Sequence, residues 1–268
     1  MMITDPERPL FSIITVTKAN QAGLLATERS LAGQNPHLYE WLVADGGQVP
    51  ETADYLRARP GSANPAVAWW DTRLDAGPYD AMNRALEHAK GEYVLFLNAG
   101  DCLAFPDLLA KLADVMAISG PDRPEFLYGD AIERLDNDRV MLKKSRKASC
   151  FVFGMFTHHQ AMVYRRDRIG VLRFPRAYRI GADYAFTALY LQKVQRIMRV
   201  DFPICIFSSG GMAQSHPDEG RRDQHCIRKS FLGISPILSL LILWLQIIAF
   251  FLRKHCSPLY VCLRFRGI

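Results

Sequence analysis

Two apolar runs of the chain end in acidic and small residues whose types suit the binding of a charged ligand. Residues 91–101 end in Asn98 and Asp101, and residues 41–47 end in Asp45 and two glycines. Small residues at a strand end let a ligand approach the backbone, and an Asp there can accept hydrogen bonds from a base or ribose. A bound pyrophosphate needs a divalent cation, and Mg²⁺ or Mn²⁺ prefers oxygen ligands such as Asp101. Each run, taken alone, is equally typical of an ordinary turn.

A third segment, residues 75–84, combines a Gly-Pro pair with polar residues at helical spacing. Asp80, Asn83 and Arg84 are three and four residues apart and would share one helix face. The helix N-terminus and Arg84 would favour an anionic phosphate. The segment also fits a well-capped helix without a ligand.

Apolar runs alternate with helix-period segments through the first half, which predicts parallel strands with helices on both faces. Ligands of such sheets bind beyond the carboxyl ends of the strands, where the acids lie. The predicted strands are 10–17, 39–44, 66–70 and 93–97, and the predicted helices are 21–32, 51–59 and 79–89.

From residue 126 the pattern changes to shorter strands and polar turns, which predicts a mixed half that closes over the site. Asp136-Asn137-Asp138 lies in a polar turn and is interpreted as solvent-exposed rather than as a metal site. The predicted elements are strands 126–128, 131–135, 140–144, 162–164 and 198–207 and a helix over 182–192.

The chain is 49% hydrophobic and 22% charged, which indicates one folded domain with an appendage. Residues 221–268 carry a net charge of +7, whereas residues 1–220 sum to −1. Residues 231–252 contain no charge, and a helix of that length would rise about 33 Å. Three interpretations stay open: a transmembrane or re-entrant helix, an amphipathic anchor in the membrane plane, and a buried helix. The flanking basic residues suit anionic lipid.

Several classes of protein are disfavoured by what the sequence lacks. It has no RNA- or DNA-binding motif, so nucleic acid is not expected as a partner, and no Gly-x-Gly-x-x-Gly follows a strand, which disfavours a dehydrogenase. Six cysteines without a Cys-x-x-Cys pair indicate free thiols in a reducing compartment. His158 and His159 are adjacent and would point to opposite faces of a strand, which argues against zinc. The N-terminal apolar run is interpreted as a first strand, not a signal peptide.

These motifs together resemble glycosyltransferase family 2 enzymes of the GT-A fold, in the branch that builds exopolysaccharides such as colanic acid. The resemblance covers about residues 10–215 and implies an α/β domain with a mostly parallel central sheet flanked by helices. It divides residues 1–220 into a nucleotide-binding half, about 1–125, and an acceptor half, about 126–220, followed by a basic, apolar, membrane-associated helical tail over 221–268. The matching segments are 15–20, 45–47, 75–84, 96–101, 158–160 and 181–184.

The resemblance also assigns roles to individual residues around a nucleotide diphosphate sugar. His158 and Gln160 would help to form the acceptor site, although core packing of one of the two histidines is an alternative. Asn98 and Gly100 occupy places where the family often has Asp, so binding of Mg²⁺ or Mn²⁺ by Asp101 is expected to be weak, and His216 is a candidate for an extra ligand. The residues implied to surround the nucleoside are Thr15, Thr17, Asn20 and Asp45, with Asp75 and Arg84 near the nucleotide or sugar.

Asp183, at the start of a predicted helix, resembles the catalytic base of the family. The implied reaction is an inverting transfer of a sugar to a saccharide or a polyprenyl-diphosphate-linked acceptor, at the cytoplasmic face of the inner membrane. One alternative is a nucleotidyltransferase, although residues 17–20 lack the Gly-rich loop for a triphosphate. The other is a membrane-docked scaffold that has lost activity.

Overall fold

A sheet of nine strands lies between two layers of helices in the computed structural model. The structure describes residues 8–47, 50–59, 63–134, 139–208 and 215–255, and everything below refers to them. The strand order is β3-β2-β1-β4-β8-β6-β9-β5, and β7 pairs with residues 131–134 of β6, beyond the residues that pair with β8.

The first half of the chain alternates strands and helices as the apolar periodicity predicts, and β1 to β4 pair in parallel. The predicted bounds differ from the observed ones by one residue at most places. The elements are β1 (Phe11–Thr17), α1 (Gln21–Ala32), β2 (Tyr39–Asp45), α2 (Pro50–Ala58), β3 (Val67–Asp71), α3 (Pro78–His88) and β4 (Tyr93–Phe96).

The second half makes the sheet mixed, which corrects the expectation of a mostly parallel sheet. The new strands pair antiparallel in four places, and only β6 and β9 pair in parallel. Antiparallel neighbours need no helical crossover, and β6 and β7 pair in this way as consecutive strands, whereas the antiparallel partners of β4 and β5 lie far along the chain. The predicted strands 126–128 and 131–135 are one strand. The elements are β5 (Cys102–Leu103), α4 (Leu108–Ile118), β6 (Phe126–Arg134), β7 (Val140–Lys143), β8 (Met162–Arg165), α5 (Arg166–Ile169), α6 (Ala182–Leu191), β9 (Ile197–Ser208), α7 (Pro217–Ser230) and α8 (Pro236–His255).

Both faces of the sheet are apolar and covered. Successive residues of a strand point to opposite faces, so Ile13 packs with α1, α2 and α4 while Ile14 packs with α3 and α6. Every residue of β1 is buried. β1 is therefore a central strand, and polar residues that could bind a ligand lie at the ends of the strands.

The C-terminal helix α7 packs against α6 in the core, and α8 packs on α7. Ile227 of α7 is fully buried in the core beside α6, and Arg228 donates to the Ser239 hydroxyl of α8 at 3.1 Å. The predicted boundary between residues 220 and 221 falls inside α7. Across the described ranges, no helix combines the length and apolar character needed to cross a membrane. This finding does not support the spanning interpretation of residues 231–252.

Candidate functional site

Asp45 and Thr17 end the two adjacent parallel strands β2 and β1, in register with each other. The Asp45 side chain is fully buried, and neither carboxylate oxygen has a hydrogen-bond partner among the described residues. Burial raises the pKa of Asp45; the Asp75 carboxylate acts in the same direction, and the Gly46 and Gly47 amides and Lys18 oppose it. An unpartnered buried carboxylate at a strand end is an acceptor available to a ligand.

Asp75 lies against the turn that follows Asp45. A Cβ atom added to Gly46 would be 3.0 Å from Oδ2 of Asp75, so the Asp75 carboxylate lies close against this turn. Arg84 of α3 donates to the backbone carbonyls of Arg73 and Leu74, and its Nε lies 3.2 Å from the Asp71 carboxylate. Arg84 therefore holds the segment that leads to Asp75, and contact between Arg84 and a diphosphate stays a prediction.

Thr15, Thr17 and Asn20 lie at different depths below the edge of the sheet where β1 and β2 end. The Thr15 hydroxyl is fully buried and accepts a hydrogen bond from the Trp41 indole at 2.9 Å. Thr17 donates to the Asn20 carbonyl at 3.4 Å, and the exposed Asn20 caps α1 through Gly23. Thr15 thus lies in the core, while Thr17 and Asn20 form the rim where a ligand would arrive.

The turn that carries Asp101 is held by residues far away in sequence. The Thr27 hydroxyl donates to the Asp101 carbonyl at 2.7 Å and accepts from the Gly100 amide at 3.0 Å. The backbone N–H of Ser208 donates to Oδ1 of Asp101 at 3.0 Å. The Asp101 side chain is 4% exposed, and burial raises its pKa to about 7, opposed by Ser208 and by the Gln160 amide.

The oxygen atoms of this turn fit a divalent cation that is shared with a bound diphosphate. Among the described residues, Asp101 has hydrogen bonds from Ser208 and Gln160 but no cationic partner, and Oδ1 of Asn98 is buried without a hydrogen-bond partner. Mg²⁺ is commonly bound by one or two carboxylates together with substrate phosphates. No group of three His, Cys, Asp or Glu suited to a metal occurs among the described residues, and His216 is exposed at the start of α7. Asp101 and Asn98 would therefore hold the cation only together with the substrate.

His158 belongs to a charged cluster that sequence reasoning did not find. Its Nε2 lies 2.7 Å from Oε1 of Glu133, which also accepts from Lys143 at 2.7 Å, and its ring stacks on Phe207 at 4.2 Å. The bond from His158 lowers the pKa of Glu133 to about 2, and burial lowers the pKa of His158. The imidazole therefore faces a permanently charged carboxylate.

His159 and Gln160 follow His158 in the same short turn, but their side chains face other groups than the Glu133 carboxylate. His159 is buried against Phe96 at 5.0 Å, and burial lowers its pKa to about 3, so this is the histidine of the pair that packs in the core. Gln160 faces Asp101. Because Ser208 bonds Asp101 and the preceding Phe207 stacks on His158, the end of β9 joins the predicted metal turn to the predicted acceptor residues.

Asp183 occupies the first turn of α6 and, as a whole residue, is partly buried. Desolvation raises the pKa of Asp183 to about 6, opposed by the Tyr184 amide and the Tyr79 hydroxyl and assisted by the negative charge of Asp223. The Tyr79 hydroxyl donates to the Ile180 carbonyl at 2.7 Å. A carboxyl group with such a pKa can accept a proton near neutral pH.

The predicted site residues follow one edge of the fold. Asp75 lies against the turn after Asp45, and Thr17 pairs with Asp45. Asn20 donates to the Ala99 carbonyl, two residues before Asp101. Tyr79, four residues after Asp75, donates to the segment that carries Asp183. Sequence reasoning missed Glu133, Lys143, Thr27, Ser208 and Asp223. A strand alternation that places Glu133 on a polar face is the only signal that the sequence offers for them. The Asp136-Asn137-Asp138 string lies outside the described residues.

Known proteins resemble this chain in sequence and in fold. The model of the family described as Glycosyl transferase family 2 matches residues 12–167. A PGL/p-HBAD biosynthesis glycosyltransferase of Mycobacterium bovis (strain BCG / Pasteur 1173P2) is 35% identical over 190 residues, covering 66% of this chain and 68% of the relative.

Two solved structures show the same fold at low identity. S. aureus TarS 1-349 in complex with UDP-GlcNAc has a TM-score of 0.65 at 20% identity, over 92% of this chain and 72% of TarS 1-349. The mannosyltransferase PcManGT from Pyrobaculum calidifontis, in complex with GDP-Man and Mn²⁺, has a TM-score of 0.62 at 16% identity, over 85% of this chain and 65% of that one. With the family match over residues 12–167, the chain belongs to glycosyl transferase family 2 and is a glycosyltransferase.

Proposed function

We propose that this enzyme transfers a sugar from a nucleoside diphosphate donor to an acceptor hydroxyl with inversion, and that Asp183 is the general base. The observation that carries the proposal is the Asp183 carboxyl group, whose pKa is about 6 at the first turn of α6. The rim of Asp45, Thr17 and Asn20 supplies acceptors for a nucleoside. The presence of UDP-GlcNAc and GDP-Man in two structural neighbours supports a nucleotide sugar as the donor.

The donor diphosphate would lie over the Asp101 turn. When bound there, Mg²⁺ or Mn²⁺ stabilises the negative charge that the departing nucleoside diphosphate acquires. Asp101 and Asn98 would orient the cation, and Asp75 would lie beside the sugar or nucleotide. Arg84 keeps the 73–75 segment in place through two backbone carbonyls.

The acceptor hydroxyl would approach from the side of Asp183. Its proton passes to Asp183 as the oxygen forms a bond to the anomeric carbon and the bond to the diphosphate breaks, so the configuration inverts in one displacement. His158, held by Glu133, and Gln160 would orient the acceptor. We propose a saccharide or a polyprenyl-diphosphate-linked acceptor in the synthesis of an exopolysaccharide or another cell-surface glycan.

The test of the proposal is Asp183→Asn compared with Asp167→Asn. Asp167 also begins a helix, but its carboxylate is 57% exposed and pairs with Arg165. UDP- and GDP-sugars are first screened by thermal shift with Mn²⁺, and release of UDP or GDP from the stabilising sugar is then measured. We expect Asp183→Asn to bind the donor normally but to lose about 10² to 10⁴ in turnover, while Asp167→Asn behaves as the parent. Near-parental turnover of Asp183→Asn would exclude Asp183 as the base. A parent protein that releases no UDP or GDP would favour the inactive scaffold.

We further propose that α8 rests on the anionic cytoplasmic face of a membrane. Its side chains Leu241, Trp244 and Leu245 are apolar and more than half exposed, with Trp244 at 58%. They lie three and four residues apart and therefore share one helix face. Lys229, at the end of α7, is exposed and basic, which favours a negatively charged partner.

Vesicle flotation tests this placement with the full chain. We expect co-flotation with vesicles of anionic phospholipid, weaker co-flotation with neutral vesicles, and loss of both in the Leu241→Asp/Leu245→Asp variant. Val171→Asp is the matched control, since Val171 is apolar and 91% exposed away from α8. Equal flotation of parent and double variant contradicts the proposal.

A further inference from the structure

The carboxylate of Asp223, on α7, bonds to the backbone immediately before Asp183. Its Oδ2 accepts from the Gly181 amide at 2.9 Å and from the Ile180 amide at 3.2 Å. Gly181 is the N-cap residue of α6, and its own N–H is among the helix N-terminal amides that lack an intrahelical partner. Asp223 therefore supplies, from another helix, the negative group that stabilises a helix N-terminus.

The same peptide segment is held from its other side by α3. The Tyr79 hydroxyl donates to the Ile180 carbonyl at 2.7 Å, so both the donors and an acceptor of the 180–181 segment have partners. A Cβ atom on Gly181 would lie 2.7 Å from Cβ of Asp223, so α7 approaches as closely as only glycine permits. The direction in which Asp183 leaves the backbone is therefore set by two helices that flank it.

Asp223 also acts on Asp183 through its charge. The titratable groups that face Asp183 are Tyr79 of α3, Tyr164 of β8 and Asp223 of α7. Burial raises the pKa of both tyrosines, so they are neutral at neutral pH, whereas the Asp223 carboxylate raises the pKa of Asp183. A fixed negative charge near a carboxyl group favours its protonated form.

We propose that Asp223 is a positioning residue for Asp183, which makes α7 part of the active site rather than part of a peripheral tail. This inference rests on the proposed function, in which Asp183 is the base. Through the two amides Asp223 orients the base, and through its charge it keeps the affinity of the base for a proton high. Removal of the carboxylate should disturb turnover without disturbing Thr17, Asn20 and Asp45, which lie at the ends of β1 and β2 and at the start of α1.

The experiment compares Asp223→Asn with Asp218→Asn. Asp218 lies on the same helix, is 81% exposed and pairs only with Arg221. For each variant, donor affinity is measured by calorimetry, and the release of nucleoside diphosphate is followed as a function of pH. The carboxyl group of Asp183 is titrated by ¹³C NMR of the full chain labelled at aspartate, with Asp183→Asn to assign the signal.

We expect Asp223→Asn to lower kcat about 10- to 100-fold with donor affinity unchanged, and to move both the acid limb of the kcat profile and the Asp183 titration to lower pH. A variant that was merely less folded would lower kcat equally at all pH values and leave the titration in place, and that result would overturn the proposal. Asp218→Asn should match the parent in every measurement. If Asp183→Asn keeps full turnover, the proposed function fails; if it loses turnover while Asp223→Asn shows no pH shift, only this inference fails.

Discussion

Ser208 at the end of β9 donates its backbone N–H to the carboxylate of Asp101, 107 positions earlier in the chain. The Ser208 hydroxyl also donates to the Gly100 carbonyl at 2.6 Å. These hydrogen bonds close the Asp101 turn from the end of β9, so the second half of the chain contacts the first half at the residue proposed to bind the cation.

The first prediction concerns the replacement Asp101→Asn. The Asn oxygen can still accept from Ser208, so the fold should persist while the charge that attracts the cation is lost. The affinity for UDP or GDP is measured by calorimetry with Mn²⁺ and again after removal of Mn²⁺ by EDTA. Mn²⁺ should increase this affinity in the parent, and the increase should be smaller by at least about tenfold in the variant. Asp107→Asn, at an exposed position nearby, is the control. An unchanged Mn²⁺ enhancement in Asp101→Asn would exclude Asp101 as a ligand.

The second prediction concerns Thr27, whose buried hydroxyl bonds to both Gly100 and Asp101. Thr27→Val has nearly the same shape but removes the hydroxyl that donates to the Asp101 carbonyl, while the Gly100 amide keeps the Gly23 carbonyl as a partner, and the loss should cost about 1 to 3 kcal/mol in the free energy of unfolding. Thr52→Val is the matched control, because the buried Thr52 hydroxyl has no hydrogen-bond partner among the described residues. Urea denaturation should therefore show a loss for Thr27→Val and no loss for Thr52→Val. Equal effects of the two substitutions would contradict this account.

The third prediction concerns Asn83, which links α3 to the segment that precedes α6. Its side chain donates to the Phe174 carbonyl at 3.0 Å and accepts from the Phe174 amide at 2.8 Å. Asn83→Leu would leave both buried groups unpaired and should lower the free energy of unfolding by about 2 to 4 kcal/mol. Asn83→Asp keeps the acceptor but loses the donor, so denaturant unfolding should place it between the parent and Asn83→Leu.

The fourth prediction concerns how stability depends on the titration of Asp183. Its pKa in the folded protein, about 6, is above the ordinary value of 3.8, so between these two values the folded state holds more protons than the unfolded state. Stability from this group is therefore present below pH about 4 and is lost as the pH rises through about 6. Asp183→Asn cannot ionise, so its Tm should exceed that of the parent by about 6 °C at pH 8 and equal it near pH 4. Calorimetric scans at both pH values check this, with Asp167→Asn expected to show no such difference.

Asp183→Asn thus has two opposite expected effects, a loss of turnover and a gain in thermal stability at pH 8. Both come from the cost of holding a desolvated carboxylate where it can accept a proton. A lower Tm for Asp183→Asn at pH 8 would show that the charged form is better compensated than its surroundings suggest.

Local patterns in the sequence were sufficient for the parallel half of the fold. Strands β1 to β4 are short apolar runs bounded by turn residues, and the helices between them repeat apolar residues at 3.6-residue spacing, so their type and order could be predicted. The acids Asp45 and Asp101 follow two of these strands, and the carboxyl ends of parallel strands share one edge. The family resemblance added the likeness of Asp183 to a base, which the helix pattern alone did not indicate.

Only the tertiary structure decided which residues are the partners of these acids. Glu133 beside His158, Asp223 beneath Gly181 and Ser208 against Asp101 are contacts between distant segments, and no local periodicity specifies which segments pack together. The mixed character of the sheet likewise depends on how β8, β6 and β9 pair, because short apolar strands are compatible with either direction. Local sequence determines which residues stand at a strand end, whereas burial and long-range packing determine their charge and direction.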